Sequence, residues 1–120
     1  MITLYGIPNC NTVKKAQKWL EDRKIAYRFH NFRADGLDKS KVESWLDQQP
    51  VEKLVNKAST SFRALTDEEK SEVLTRAGAL KIVTEVPTLI KRPVVEDEKG
   101  QVLSIGFREA EYEELFVKLV

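Results

Sequence analysis

Apolar residues recur along this chain at two periods, and the switches between them outline its elements. Ile2-Thr3-Leu4-Tyr5 alternates as a short strand does. After Gly6-Ile7-Pro8-Asn9 the spacing changes. Val13, Ala16 and Leu20 fall three and four residues apart, with Lys14, Lys15, Lys18, Glu21 and Asp22 on the other side, which predicts an amphipathic helix. Tyr27-Arg28-Phe29-His30-Asn31-Phe32 returns to period two, aromatic against polar, and predicts a second strand.

Gly36 breaks the pattern, and Asp38 is placed to cap a helix carrying Val42, Trp45 and Leu46 that Pro50 ends. Leu54 and Val55 predict a further short helical turn, and Asn56-Lys57-Ala58-Ser59-Thr60-Ser61 reads as a polar loop. Thr66-Asp67-Glu68-Glu69 has the form of a capping box and opens a helix holding Val73, Leu74 and Ala77, which Gly78 ends or interrupts. Leu80 to Glu85 fits helix or strand. Pro87 and Pro93 bracket Thr88-Leu89-Ile90-Lys91-Arg92 and argue against a long regular element there. Val94-Val95-Glu96, the turn Asp97-Glu98-Lys99-Gly100 and Val102-Leu103-Ser104-Ile105 predict a β-hairpin. A last helix is expected from about Glu109, with Tyr112, Leu115, Phe116 and Leu119 on one stripe. The order is β-α-β, helices, then β-β-α, which predicts an α/β fold with a mixed sheet. With no linker or repeat in the chain, residues 1–120 read as a single domain, with a helical insertion over roughly 38–84.

Composition narrows the function classes. Twenty Lys and Arg against nineteen Asp and Glu give a net charge of +1, so no global field favours nucleic acid or a membrane surface. No apolar stretch approaches the ~20 residues a membrane span needs, and no secretory leader is evident. One cysteine cannot form an internal disulfide, which fits a reducing, cytoplasmic setting. One His and one Cys make a poor ligand set, so no metal is expected, and His30 reads as a strand residue. The charged helix faces leave no sustained apolar stripe, so the expected state is a monomer.

The one cysteine, Cys10, stands where the first strand gives way to the first helix. Free N–H groups and the positive dipole end of a helix favour an anion, and so lower a thiol from its free value of about 8.5. N–H groups near Asn11 and Thr12 serve this, and Lys14 and Lys15 push the same way. The plain alternative is a buried, inert cysteine. Arg92-Pro93 is the second candidate: a cis proline there holds its neighbour in a fixed turn, and arginine offers a fork of donors for a carboxylate or oxyanion. An ordinary turn with a solvated arginine reads equally well. A third candidate is the hydroxyl-rich loop between Lys57 and Arg63.

Tyr5-Gly6-Ile7-Pro8-Asn9-Cys10-Asn11-Thr12-Val13-Lys14-Lys15-Ala16 with Trp19-Leu20 resembles the N-terminal signature of the arsenate reductase (ArsC) family, in particular its YffB-like branch. Tyr27-Arg28-Phe29-His30, Arg33-Ala34-Asp35-Gly36-Leu37, the run Glu85 to Val94 and Gly106-Phe107 continue the resemblance over essentially the whole chain. It implies a thioredoxin-like fold with a helical insertion, a nucleophilic Cys10, a cis Pro93, and Arg92 as a binder of substrate. It also implies glutathione as co-substrate and glutaredoxin as a partner, with no bound cofactor. The single cysteine agrees, because a resolving thiol must then come from outside the chain.

The departures set the alternatives. The YffB-like branch usually has Asp where this chain has Asn11, and its loop usually reads Thr-Arg-Gly-Thr-Thr-[WY]-Arg. Here that loop is Lys57-Ala58-Ser59-Thr60-Ser61-Phe62-Arg63, leaving Lys57 and Arg63 as its cations, with Arg108 as a further one. A lysine cannot copy a bidentate guanidinium clamp. The reading is therefore a glutathione-linked thiol oxidoreductase, with Cys10 catalytic and Asn11, Thr12, Lys14, Arg92 and Pro93 at the substrate. A glutaredoxin-dependent arsenate reductase is one alternative. The other is a protein-binding regulator like the Spx proteins of the same superfamily, which grip RNA polymerase and sense oxidants through a C-x-x-C pair. Val13 replaces the second cysteine of that pair here.

Overall fold

A computed structural model describes residues 1–117. They form two compact units, one of residues 1–33 with the segment from Arg92 onward, the other of Ala34–Lys91. The first unit carries the sheet. Strand β1 (Ile2–Gly6) leads to helix α1 (Asn11–Asp22) and strand β2 (Tyr27–Asn31). Strands β3 (Val94–Glu96) and β4 (Val102–Ile105) are the hairpin, and the closing helix, α8, is Glu109–Phe116. The sheet order is β2-β1-β3-β4, with β1 parallel to β2 and antiparallel to β3. Asp97 makes the hairpin turn, its Oδ1 accepting from the N–H groups of Lys99 and Gln101 at 2.9 Å each.

Alternation in β1 decides what each face meets. Leu4 packs with Val13, Ala16, Trp19 and Leu20 of α1, Val95 of β3 and Tyr112 of α8 in a fully apolar core. Each aliphatic side chain so buried stabilises the fold by roughly 1.5–3 kcal/mol. Trp19 and Tyr112 meet edge to face at 5.4 Å, Phe107 meets Tyr112 at 4.8 Å, and the Arg23 guanidinium lies 4.0 Å over the Trp19 ring. Tyr5 points the other way, where its hydroxyl donates to the buried Glu96 carboxylate at 2.8 Å. Tyr112, Leu115 and Phe116 lie in α8, as the stripe predicts; Leu119 lies outside the described residues.

The second unit is helical. Its elements are the end of α2 (Phe32–Asp35), then α3 (Lys39–Gln48), α4 (Val51–Leu54), α5 (Thr60–Arg63), α6 (Asp67–Glu72) and α7 (Arg76–Glu85). A 3-10 turn at Pro87–Leu89 follows. Trp45, Val42, Leu54, Val73, Val83, Leu89 and Ile90 are buried within it, and α3 packs along α7. The capping box at α6 is complete: Thr66 Oγ1 accepts from the Glu69 N–H at 3.1 Å, and the Thr66 N–H donates to Glu69 Oε1 at 2.9 Å. Asp38 is the N-cap residue of α3, though its side chain makes no capping bond.

Four local expectations are corrected. Phe32 is not the end of a strand; it opens α2, because Asn31 Oδ1 accepts from the Arg33 N–H at 2.9 Å and turns the chain. The polar loop at 56–61 runs into the helical turn α5, capped by Ser59, whose Oγ accepts from the Phe62 N–H at 3.0 Å. Val73, Leu74 and Ala77 do not share one helix. The chain breaks after Glu72, and Thr75 restarts it by capping Gly78 N–H at 3.0 Å, so Gly78 lies in the first turn of α7 and Leu80 to Glu85 is helical.

Candidate active site

The strand-loop-helix signal delivers Cys10 to the N-cap of α1, with extended backbone (φ −145°, ψ 121°) and its carbonyl accepting from the Lys14 N–H at 3.0 Å. An N-cap side chain faces the N–H groups of the second and third helical residues, here Thr12 and Val13. The thiol makes no side-chain capping hydrogen bond. It is half-buried against the core formed by β1, α1 and α8.

Two effects compete at the sulfur. Burial is the largest and pushes the thiol up. The Val13 N–H, the Arg92 guanidinium through both a hydrogen bond and its charge, and the Thr12 N–H all favour the anion. Together they win, and Cys10 titrates below the ordinary thiol range. The thiolate is the nucleophilic form of a cysteine, and this setting favours it.

Arg92 comes to Cys10 from the start of the hairpin. The Arg92–Pro93 peptide bond is cis, and the Pro93 carbonyl accepts from the Gly106 N–H at 2.9 Å, which anchors this corner to the end of β4. The donors to sulfur thus come from the helix start and from the hairpin corner. The Thr12 N–H is one of the groups expected near Asn11 and Thr12, and the Val13 N–H joins it. An N-cap assignment of Cys10 is the signal that finds Val13, since its N–H is the third of the helix.

The other candidates each have their own setting. Asn11, Thr12, Lys14 and Lys15 have exposed side chains along the first turns of α1, and the cation acting on the sulfur is Arg92. Lys57 and Arg63 belong to the helical unit, where Arg63 Nη2 donates to the Ala58 carbonyl at 3.1 Å and so closes its own loop. Arg108 caps α8 in position, is 79% exposed and pairs with Glu111 at 3.3 Å. His30 stands in β2 with its ring 4.9 Å from that of Tyr5. Among the described residues no helix is long and apolar enough to cross a membrane.

Comparison with known proteins settles the family. A model described as the ArsC family matches residues 5–115. The chain belongs to the ArsC family. An uncharacterised protein of Haemophilus influenzae is 47% identical to this ArsC protein, covering 97% of it and 99% of the relative. Among solved structures, the YffB protein superposes with a TM-score of 0.87 at 35% identity, covering 95% and 97% of the two chains. An arsenate reductase (ArsC) related protein from Brucella melitensis superposes at 0.76 with 41% identity, covering 97% and 94%. The fold is the thioredoxin-like one of these neighbours. A global transcriptional regulator of Lactococcus lactis, Spx 2, is more distant, 32% identical over 92% of this chain and 83% of the regulator. Family and neighbours support a thiol oxidoreductase.

Proposed function

We propose that this ArsC protein is a glutathione-linked thiol oxidoreductase acting through Cys10. The observation that carries the reading is the meeting of Cys10 at the α1 N-cap with Arg92, whose hydrogen bond and charge favour the anionic form of the sulfur. The thiolate attacks one sulfur of a disulfide substrate and expels the other as a thiolate, leaving a mixed disulfide at Cys10. A glutathione thiolate attacks the Cys10 sulfur of that mixed disulfide and expels the second substrate sulfur as a thiolate, leaving glutathione on Cys10. A second glutathione thiolate attacks the glutathione sulfur, forms oxidised glutathione and releases Cys10 as the thiolate it began as. Two thiols are thereby oxidised for each disulfide reduced, and none of the electrons comes permanently from the protein. Arg92 suits a carboxylate of glutathione, and the exposed first turn of α1, with Asn11, Thr12 and Lys14, offers polar groups beside it.

The test is the pH dependence of Cys10 alkylation by iodoacetamide, with and without glutathione. An apparent value below about 8.5, with protection by glutathione, is the expected result. A normal value without protection would sink the reading. Cys10→Ser must also lose all turnover.

Arsenate as the oxidised substrate draws support from the Brucella neighbour's relation to arsenate reductase. The loop is its weak point, because Ala58 stands where the branch usually carries arginine and Arg63 is turned onto its own backbone. Glutaredoxin-coupled arsenate reduction near the background rate separates the two substrates. The similarity to Spx 2 supports a regulator that binds a protein partner. Capture of RNA polymerase by the Cys10→Ser protein, together with no thiol turnover in the native one, is the result that favours it.

A further inference from the structure

Gly6 ends β1 and is fully surrounded, yet its backbone does not need glycine, since the glycines with positive φ are 36, 100 and 106. Space is what requires it. A Cβ at Gly6 would lie 2.8 Å from Val13 Cγ2, closer than side-chain carbons approach, and 3.5 Å from Cγ1. Val13 cannot give way easily. It is 0% exposed, sits in the apolar core, and as a β-branched residue in a helix it has one strongly preferred rotamer. The Val13 side chain therefore seats directly on the backbone of β1. Its N–H, on the same residue, is the third of α1 and faces Cys10.

We infer that Gly6 is a positioning residue for Cys10: its missing side chain lets Val13 seat against β1, and that seat fixes the first turn of α1 beneath the sulfur. The inference rests on the proposed thiolate chemistry and adds the residue that sets its geometry. Gly6→Ala forces Val13 outward and carries its N–H away from the sulfur, so the thiol loses a donor. The remedy is written in the same distances. With Val13 cut back to alanine, the nearest Val13 atom left is Cβ, at 3.8 Å, an ordinary contact.

The experiment is the iodoacetamide pH profile of three variants beside the native protein: Gly6→Ala, Val13→Ala and the double variant. Gly6→Ala is expected to lower the alkylation rate at pH 6 about 3- to 10-fold, the effect of a thiol shifted up by half to one unit. Val13→Ala, which leaves the seat empty, loses less, and the double variant returns toward the native profile. A merely structural glycine would change stability and leave the profile alone. A native profile in folded Gly6→Ala, or in Val13→Ala should the first not fold, overturns the inference. A native protein with an ordinary thiol overturns the thiolate reading instead, so the two failures are distinct.

Discussion

At Cys10 burial and hydrogen bonding pull in opposite directions, and which of them wins has a consequence for folding. The folded thiol titrates below its ordinary value, so between that lowered value and about 8.5 the unfolded chain binds more protons than the folded one. Stability therefore rises with pH across this window, is fully present above it, and is lost as pH falls through the folded value. Denaturant midpoints from pH 6 to 9 should climb for the native protein relative to Cys10→Ser. Parallel curves would mean the thiolate gains nothing from folding. The tyrosines do not interfere: burial first, then Glu21, pushes Tyr27 up to about 12, so its effect begins only above its ordinary 10. Arg92 acts by hydrogen bond and charge together, and replacement separates them. Arg92→Lys keeps the charge and loses the planar fork. It should raise the thiol partway and weaken protection by glutathione about tenfold, the loss of a single good charged contact of about 1.4 kcal/mol. Full protection in Arg92→Lys would reduce the arginine to a point charge.

Between elements, the break from α6 to α7 shows two preferences in conflict. Helix propensity favours alanine over glycine by roughly 1 kcal/mol, so Gly78 in the first turn of α7 looks like a site to improve. The carbonyl of Glu72 decides otherwise. A Cβ at Gly78 would stand 1.9 Å from that oxygen, which is backbone and itself accepts from Thr75 Oγ1 at 2.7 Å. Forcing the turn apart costs about 1–3 kcal/mol or more, which exceeds the propensity gain. Gly78→Ala should lower stability in a denaturant titration; a gain would show that the two helices part freely here. The same junction explains what the sequence disclosed. The capping box, the α1 stripe and the hairpin turn are each written within a few neighbouring residues, and all three are legible. The turns at α2 and α5 hang on single side-chain oxygens of Asn31 and Ser59, in segments whose composition reads as strand or loop. The α6–α7 break is hidden because Thr75 and Gly78 keep helical spacing while the chain stops and starts again. At the site, Cys10 and Arg92 are legible singly and by resemblance. Their contact depends on how the hairpin corner meets the helix start, and no local pattern records that.

Taken over the whole molecule, the count of thiols governs the order of events. One cysteine means that a mixed disulfide formed at Cys10 has no resolving partner within the chain, so the glutathionylated protein should persist until an external thiol arrives. Val13 is the residue that a C-x-x-C pair would convert, and it already sits in the first turn, its N–H among the groups that favour the anion at Cys10. Its side chain is closed into the core, but cysteine is smaller than valine and is itself well tolerated inside. Val13→Cys should therefore resolve the mixed disulfide internally. Treated with oxidised glutathione and freed of excess, the native chain should hold one glutathione indefinitely, whereas Val13→Cys should release it and close a Cys10 disulfide, both read by mass on the intact chain. Release from the native chain without added thiol would reveal a second route of resolution. Retention by Val13→Cys would place the new sulfur out of reach and argue that the seat on β1 holds this side chain away from Cys10. Either result bears on the proposed division of labour, in which the fold supplies a single activated sulfur and the second thiol arrives by diffusion.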